Sequence, residues 1–280
     1  MKANEYYDES GFIQPMFSYS TAKTIVMKSP YHAWREHPKL GGKKRKSTAA
    51  MDMGTLIGMF VAGDEDLIAT LDFDSYRTKA AQDLRDEAIN AGLTPVLASK
   101  AGEYREAANA IHERALSFGY DLKSMVAEHA ITWDSEDVAC KSRLDFWDQD
   151  RLIIDLKTIN DASVDSCIRS ICDMGYDIQA AAYTMAVEFE RPDLAGRIRF
   201  VNLFVETEPP YLMTPIEQDE GFLTIGRAKW ERARNIWSRC LKTGHWPAYV
   251  EKTTKVIPPS WAVHKEMNDS SIYQLGANNE

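Results

Sequence analysis

The chain has 280 residues, 44% hydrophobic and 27% charged, with a formal net charge of −9. That suffices for one large domain with a proper core, or two small ones, and it argues against broad coating of nucleic acid while allowing a narrow basic channel. No apolar run reaches membrane-spanning length, and the N-terminus Met1-Lys-Ala-Asn-Glu lacks the apolar centre of a signal peptide, so a cytoplasmic protein with no membrane partner is expected.

Residues 1–17 read as an irregular N-terminal segment, 18–258 as a single domain, and 259–280 as a polar, loose tail. Ser18-Tyr-Ser20 leads into a helix over 21–27, with Ser18 or Ser20 as its cap. Ser29-Pro30 opens a second, short helix with the proline at its first position. His32 and His37 read as surface residues. Residues 38–50 read as a loop carrying Lys43, Lys44, Arg45 and Lys46, the strongest basic cluster. That cluster suits a solvated loop or a contact with DNA backbone, which is mainly electrostatic.

An apolar helix follows over 51–61, then helical periodicity over 74–91 and 99–118. Gly92 fits the end of the first of these two, and Ser99 fits the cap of the second. Glu103, Glu106 and Glu113 fit a solvated face. Val126–Trp133 is the first clear strand, with Glu128 polar inside it and His129 pointing the other way.

The centre of the reading is Ala139–Asn160. Two β-prone runs flank the polar turn Asp148-Gln149-Asp150, a hairpin pattern. Asp145 lies near the end of the first run; Asp155 and Lys157, two apart on the second, leave the same face of a strand. A hairpin can bring Asp145 to that pair. Two carboxylates and an ammonium at one end of a sheet suit phosphodiester hydrolysis: hard oxygens hold Mg²⁺, and a lysine stabilises charge on phosphate. Taken alone, Asp-x-Lys reads first as an ordinary surface ion pair.

Asp161-Ala-Ser163 then caps a helix to about residue 173, and Gly175 breaks it. In the following helix Gln179 and Tyr183 are four apart and share a face. Residues 199–207 read as a central strand, and 211–216 as an edge strand after Pro209-Pro210. A long amphipathic helix over 217–243 carries Trp230 and Trp237 on its core face and ends at Gly244. The predicted class is α/β, a mixed sheet with helices on both sides. The four cysteines, at 140, 167, 172 and 240, form no Cys-x-x-Cys pair, which excludes the common zinc motifs and leaves reduced, mostly buried thiols.

Asp145, the run Ile153-Ile-Asp-Leu-Lys-Thr158 and Gln179-x-x-x-Tyr183 together resemble the PD-(D/E)XK nuclease superfamily. Within it the chain looks most like the RecB-like branch and its RecE (exodeoxyribonuclease VIII) type, from about Ser18 to Tyr249. The resemblance implies a Mg²⁺-dependent exonuclease, with Mn²⁺ able to substitute, acting 5′-to-3′ on the ends of double-stranded DNA. It implies 3′ overhangs for a single-strand annealing protein in recombination, and a ring-like homo-oligomer of phage type. Asp145, Asp155 and the backbone carbonyl of Leu156 would bind metal, with Glu128 as an additional ligand. Lys157 would orient water, Gln179 would lie near the lysine or phosphate, and Tyr183 near the DNA backbone. Ser18 and Ser20 match a Ser-x-Ser segment that helps hold the DNA terminus.

Two features depart from relatives. Gly54-Thr-Leu-Ile-Gly58 resembles a Gly-x-x-x-His helix, but glycine stands where the histidine would reach the metal. The cysteine positions do not match the iron–sulfur arrangement of some RecB-like nucleases, so no cluster is expected. An endonuclease on the same core, or an end-binding module weakened at Gly58, are the alternative readings.

Overall fold

In the computed structural model, residues 6, 9, 11–43, 49–250 and 252–267 are described. The hairpin is the spine of a mixed six-stranded sheet. Strand β4 (Val126–Ser135) and β5 (Val138–Trp147) pair antiparallel along almost their whole length. Strand β6 (Leu152–Ile159) returns through Asp148-Gln149-Asp150, where Gln149 takes a φ of 63°. It runs parallel to β7 (Arg199–Glu206), and β8 (Met213–Glu217) closes that edge antiparallel. A two-residue strand β1 (Phe17–Ser18) joins β5 at Cys140 and Lys141.

Helices cover both faces. On one side lie α1 (Tyr19–Met27), α7 (Tyr176–Glu190) and α8 (Glu220–Thr243). Their core contains Ile178, Val187, Trp230 and Trp237 against Phe17, Leu144, Ile153 and Phe200. On the other side lie α3 (Ala49–Ala62) and α5 (Ala98–Ser117), packing Ile57, Val61 and Ile111 against Phe146, Ile154, Val201 and Leu203. The alternation in β6 and β7 assigns each side chain to one of these layers, as period 2 requires. Asp155, Lys157 and Asn202 take the parity of Ile153 and Phe200 and so face α7.

The remaining helices are α2 (Pro30–Glu36), α4 (Lys79–Asn90) and α6 (Val164–Met174). Gly175, at φ 67°, ends α6 and begins α7, a left-handed conformation that costs glycine little. Trp230 and Trp237 are both fully buried.

Several local readings change. A parallel pair, β2 (Ile68–Leu71) and β3 (Thr94–Leu97), precedes the strand read as first. Four residues are too few to display a period, and Pro95 within β3 masks it further. Ser99 lies inside α5, whose N-cap is Leu97 without a side-chain bond. Thr78 caps α4, which starts later than its pattern suggested. His37 is buried, with Nε2 3.0 Å from the Met16 carbonyl oxygen and 3.4 Å from the Glu9 carboxylate. Glu9, Met16 and Phe17 are also buried, because β1 carries the N-terminal segment into the sheet.

The chain divides into two compact units, Met1–Trp246 and Pro247–Glu280; the second contains a helix over 260–267. Among the described residues, no helix is long and apolar enough to cross a membrane.

Candidate active site

Strands β5 and β6 form a fork. They pair only at Trp147↔Ile153 and Phe146↔Ile154, and β1 takes the same edge of β5 further along. One step beyond the last pair the register would set Asp145 against Asp155, but the ladder stops. The Leu156 N–H donates instead to Asp145 Oδ2, at 2.9 Å. The carboxylate thus satisfies a backbone donor that the parted strands leave without a ladder partner.

The other edge of β5 is distorted at the same level. Glu128 and Asp145 are the one skipped pair in an otherwise continuous ladder with β4, and Glu128 has a φ of 55°. Side chains change layers across this point. Leu144 packs on the α7/α8 side and Phe146 on the α3/α5 side; Ile131 and Ala127 divide in the same way. Strict alternation would keep each pair together. A non-glycine residue at positive φ is a strained conformation of the kind that clusters at functional sites.

Asp155 is fully buried and heavily partnered. Gln179 Nε2 donates to Oδ1 at 2.7 Å, Asn202 Nδ2 to Oδ2 at 3.1 Å, and Lys157 Nζ lies 2.5 Å from Oδ2. Burial pushes Asp155 up to about 7 despite Lys157, and Asp145 adds to the rise. Burial works against the lysine's charge too, but Asp155 and Asp145 outweigh it and hold Lys157 above its ordinary value. Lys157 keeps its proton; the acid, with no exposed surface, is the partner easier to neutralise. The Tyr176 ring lies 4.8 Å from Lys157 Nζ and 5.9 Å from Lys23 Nζ, and burial raises its hydroxyl.

Glu128 meets Arg143, with Oε2 2.6 Å from Nε. Burial and then Asp145 push Glu128 up to about 7, against the pull of Arg143. Asp64, just beyond α3, belongs to the same electrostatic group: it raises Glu128 and is itself raised by burial.

A cavity of about 650 Å³ opens beside this cluster, reached by Asp145 and Gln179 but not lined by Asp155, Lys157 or Glu128. Asp145, Gln179 and Tyr183 line it together with Ser18, Ser20, Lys23, Lys141 and Arg143. Tyr183 is nearly buried, with its ring edge-on to Phe200 at 6.0 Å. Ser18 caps α1 through Thr21 N, and its Oγ lies 2.9 Å from Ser20 Oγ. Lys43 is exposed; Lys44, Arg45 and Lys46 lie outside the described residues.

Residues 18–257 match the family described as PDDEXK-like domain of unknown function (DUF3799). The chain belongs to this PDDEXK-like family. Among solved structures, a provisionally named exonuclease from Eubacterium rectale superposes with a TM-score of 0.62 at 16% identity, over 93% of this chain and 96% of that one. A phage-related exonuclease from Haemophilus somnus is 12% identical over 84% of this chain and 99% of that one, with a TM-score of 0.37. An alkaline exonuclease from Laribacter hongkongensis is 15% identical over 70% of this chain and 95% of that one, with a TM-score of 0.32. The first similarity is one of fold. No curated protein is significantly similar in sequence. Family membership and the carboxylate–lysine cluster together support a nuclease.

The donor set of this PDDEXK-like site fits a hard divalent cation. All the candidate ligands are oxygens, and Glu128, Asp145 and Asp155 form a set in which Asp145 raises both of the others. A cation there would relieve that crowding. Among the described residues, no group of three or more His, Cys, Asp or Glu side chains is already gathered at ligating distance.

Helix α3 crosses β6 beside the site. A Cβ at Gly54 would come 2.7 Å from Thr158 Oγ1, so glycine permits that approach. Gly58, one turn on and on the same face, has nothing within 4 Å of its would-be Cβ. Space for a longer side chain therefore exists where the family-like histidine is missing.

Sequence reasoning missed Asn202, Arg143, Tyr176 and Gln218. Only Asn202 left a trace, as the lone amide in the apolar run Phe200–Val205.

Proposed function

We propose that this PDDEXK-like protein is a Mg²⁺-dependent deoxyribonuclease that digests linear double-stranded DNA from its ends, 5′-to-3′, leaving 3′ overhangs suited to strand annealing. The observation that carries this reading is the convergence of Asp145, Asp155 and Lys157 at the fork of the sheet, beside the cavity that Asp145 shares with Gln179. Asp145, Asp155, the Leu156 carbonyl and Glu128 would hold the ion. Bound there, Mg²⁺ supplies charge to polarise the phosphate and acidify a water.

The chain's own groups supply the rest. Lys157 keeps its proton and presents positive charge to a phosphate at the fork. Gln179 fixes the Asp155 carboxylate from α7. Lys23, Lys141 and Arg143 stand in the cavity wall, Lys141 paired with Glu9 and Arg143 with Glu128, beside the acids Glu9, Glu36 and Asp145, so a phosphate would meet cations there within a mixed-charge lining. A cavity of about 650 Å³ is the size that takes a drug-sized ligand, so it suits a short single strand rather than a duplex. That favours threading from a terminus. Ser18 and Ser20 stand at the cavity wall and would meet that strand, and Tyr183 would meet its backbone. A homo-oligomer enclosing the duplex would keep the enzyme on its substrate.

The test is a time course on 5′-labelled and 3′-labelled linear duplex, with covalently closed circles alongside, in Mg²⁺, Mn²⁺ and chelator. Early release of the 5′ label, with circles intact, is expected. Cutting of closed circles would show an endonuclease, and end binding without hydrolysis in either metal would show a non-catalytic module.

A further inference from the structure

We propose that Gln218 is a positioning residue that holds Asp155 and Lys157 in fixed relation to each other; this rests on the nuclease reading above. Gln218 lies between β8 and Asp219, the N-cap of α8, and is 3% exposed. Its Nε2 donates to Asn202 Oδ1 at 2.8 Å and to the Tyr176 carbonyl at 3.2 Å. Both partners accept, so they fix which end of the amide faces them.

Each contact leads on to a charged group. Asn202 sits across the ladder from Asp155 and donates its Nδ2 to Asp155 Oδ2. Tyr176 presents its ring to Lys157 Nζ. One side-chain amide therefore bonds the acid's partner directly and the backbone of the residue whose ring faces the lysine.

The simpler role would be to stitch the end of β8 to the sheet. The backbone of Gln218 already does that, because its N–H donates to the Phe200 carbonyl at 3.0 Å. The side chain adds only the two arms that reach the site.

The acid needs this constraint. Asp155 Oδ2 receives Asn202 and Lys157, and Oδ1 receives Gln179. A carboxylate offers about four lone-pair directions, so one remains, on Oδ1, for an incoming cation. Releasing Asn202 would let the carboxylate turn and lose that direction. Partners standing behind a ligand typically change metal affinity by about 10- to 100-fold.

The test titrates Mn²⁺ by calorimetry into the DNA-free full chain, as wild type, Gln218→Met, Asn202→Leu, the double variant and Asp155→Ala. Gln218→Met is expected to weaken Mn²⁺ at least about 10-fold while still melting cooperatively. The double variant is expected to bind no more weakly than Asn202→Leu, because the two residues act in series. Turnover of linear duplex should fall further in Gln218→Met than in Asn202→Leu, since only the former also releases Tyr176.

A lowered melting midpoint with unchanged Mn²⁺ affinity overturns the proposal and leaves Gln218 a structural residue. Equal turnover in the two single variants overturns the lysine arm. Retention of Mn²⁺ in Asp155→Ala overturns the metal reading beneath it, a separate failure. If Gln218→Met does not fold, Gln218→Asn, which keeps the amide but shortens its arm, is judged by the same criteria.

Discussion

Asp145 reaches across the open fork of the sheet to Leu156: its Oδ2 accepts the Leu156 N–H at 2.9 Å, where the β5–β6 ladder has just ended. The carboxylate thus serves the fold with Oδ2, and Oδ1 is the oxygen that the proposed ligand set assigns to the metal. Asn at this position keeps an acceptor for Leu156 and loses only the charge. Asp145→Asn should melt within about 1 kcal/mol of wild type yet lose at least about 100-fold in DNA hydrolysis. A rate near wild type, at matched purity, would remove Asp145 from the proposed ligand set.

Lys157→Met strips the positive partner from a fully buried acid. Breaking a buried pair from one side costs about 3–5 kcal/mol. The cost should be largest above pH 7 and shrink in acid, where Asp155 can take a proton instead. Urea unfolding at several pH values measures this, and a pH-independent cost would mean that the pair is not ionised. Turnover should fall far more than metal affinity does.

Stability should also carry a pH signature in the absence of divalent metal. Asp155 and Glu128 are each pushed up to about 7 in the folded chain, above the ordinary carboxylate value. The folded state therefore binds protons that the unfolded state has released, and stability falls as pH rises from about 4 to 7. The expected result is a lower urea midpoint at pH 7.5 than at pH 5.5, with a smaller difference in Asp155→Asn. An equal or larger difference in the variant would contradict the shift.

Gly54 and Gly58 should respond oppositely to alanine. Gly54→Ala would drive a methyl group onto Thr158 Oγ1, at a cost of about 1–3 kcal/mol. Thr158→Ala should relieve much of that cost, because it deletes the obstructing atom. Gly58→Ala meets open space and should stabilise the helix by about 0.5–1 kcal/mol. Gly58→His should strengthen Mn²⁺ binding by adding a nitrogen ligand, and Glu128→Ala should hurt less in that background. Strict additivity of the two substitutions in a calorimetric cycle would place position 58 away from the metal.

Glu9 anchors the N-terminal segment. Its carboxylate lies 2.8 Å from Lys141 Nζ and accepts from Met16 N, all three residues being buried. Burial would raise its pKa, but His37 and Lys141 prevail and lower it. This contribution is present above the ordinary glutamate value and is lost as pH falls through the depressed one. Glu9→Gln should cost about 3–5 kcal/mol at pH 7. A melt unchanged from wild type would show that the segment is not held by this pair.

What the sequence determined by itself is what short-range physics controls. Period 2 in β6 put Asp155 and Lys157 on one face, and spacing of four put Gln179 with Tyr183. The mixed sheet with helices on both sides, the polar turn and the buried face of α8 were legible for the same reason. The tertiary structure decided everything that required two distant segments to meet. Gln179 reaches Asp155 from 24 residues away, and Gln218 reaches Asn202 from 16. Arg143 takes Glu128, and His37 is drawn inward toward Glu9. The left-handed turn at Glu128 carries no local signal, since glutamate has no preference for that conformation. It arises because β4 and β5 must change layers where the fork opens, and only packing between the two helical layers sets that place.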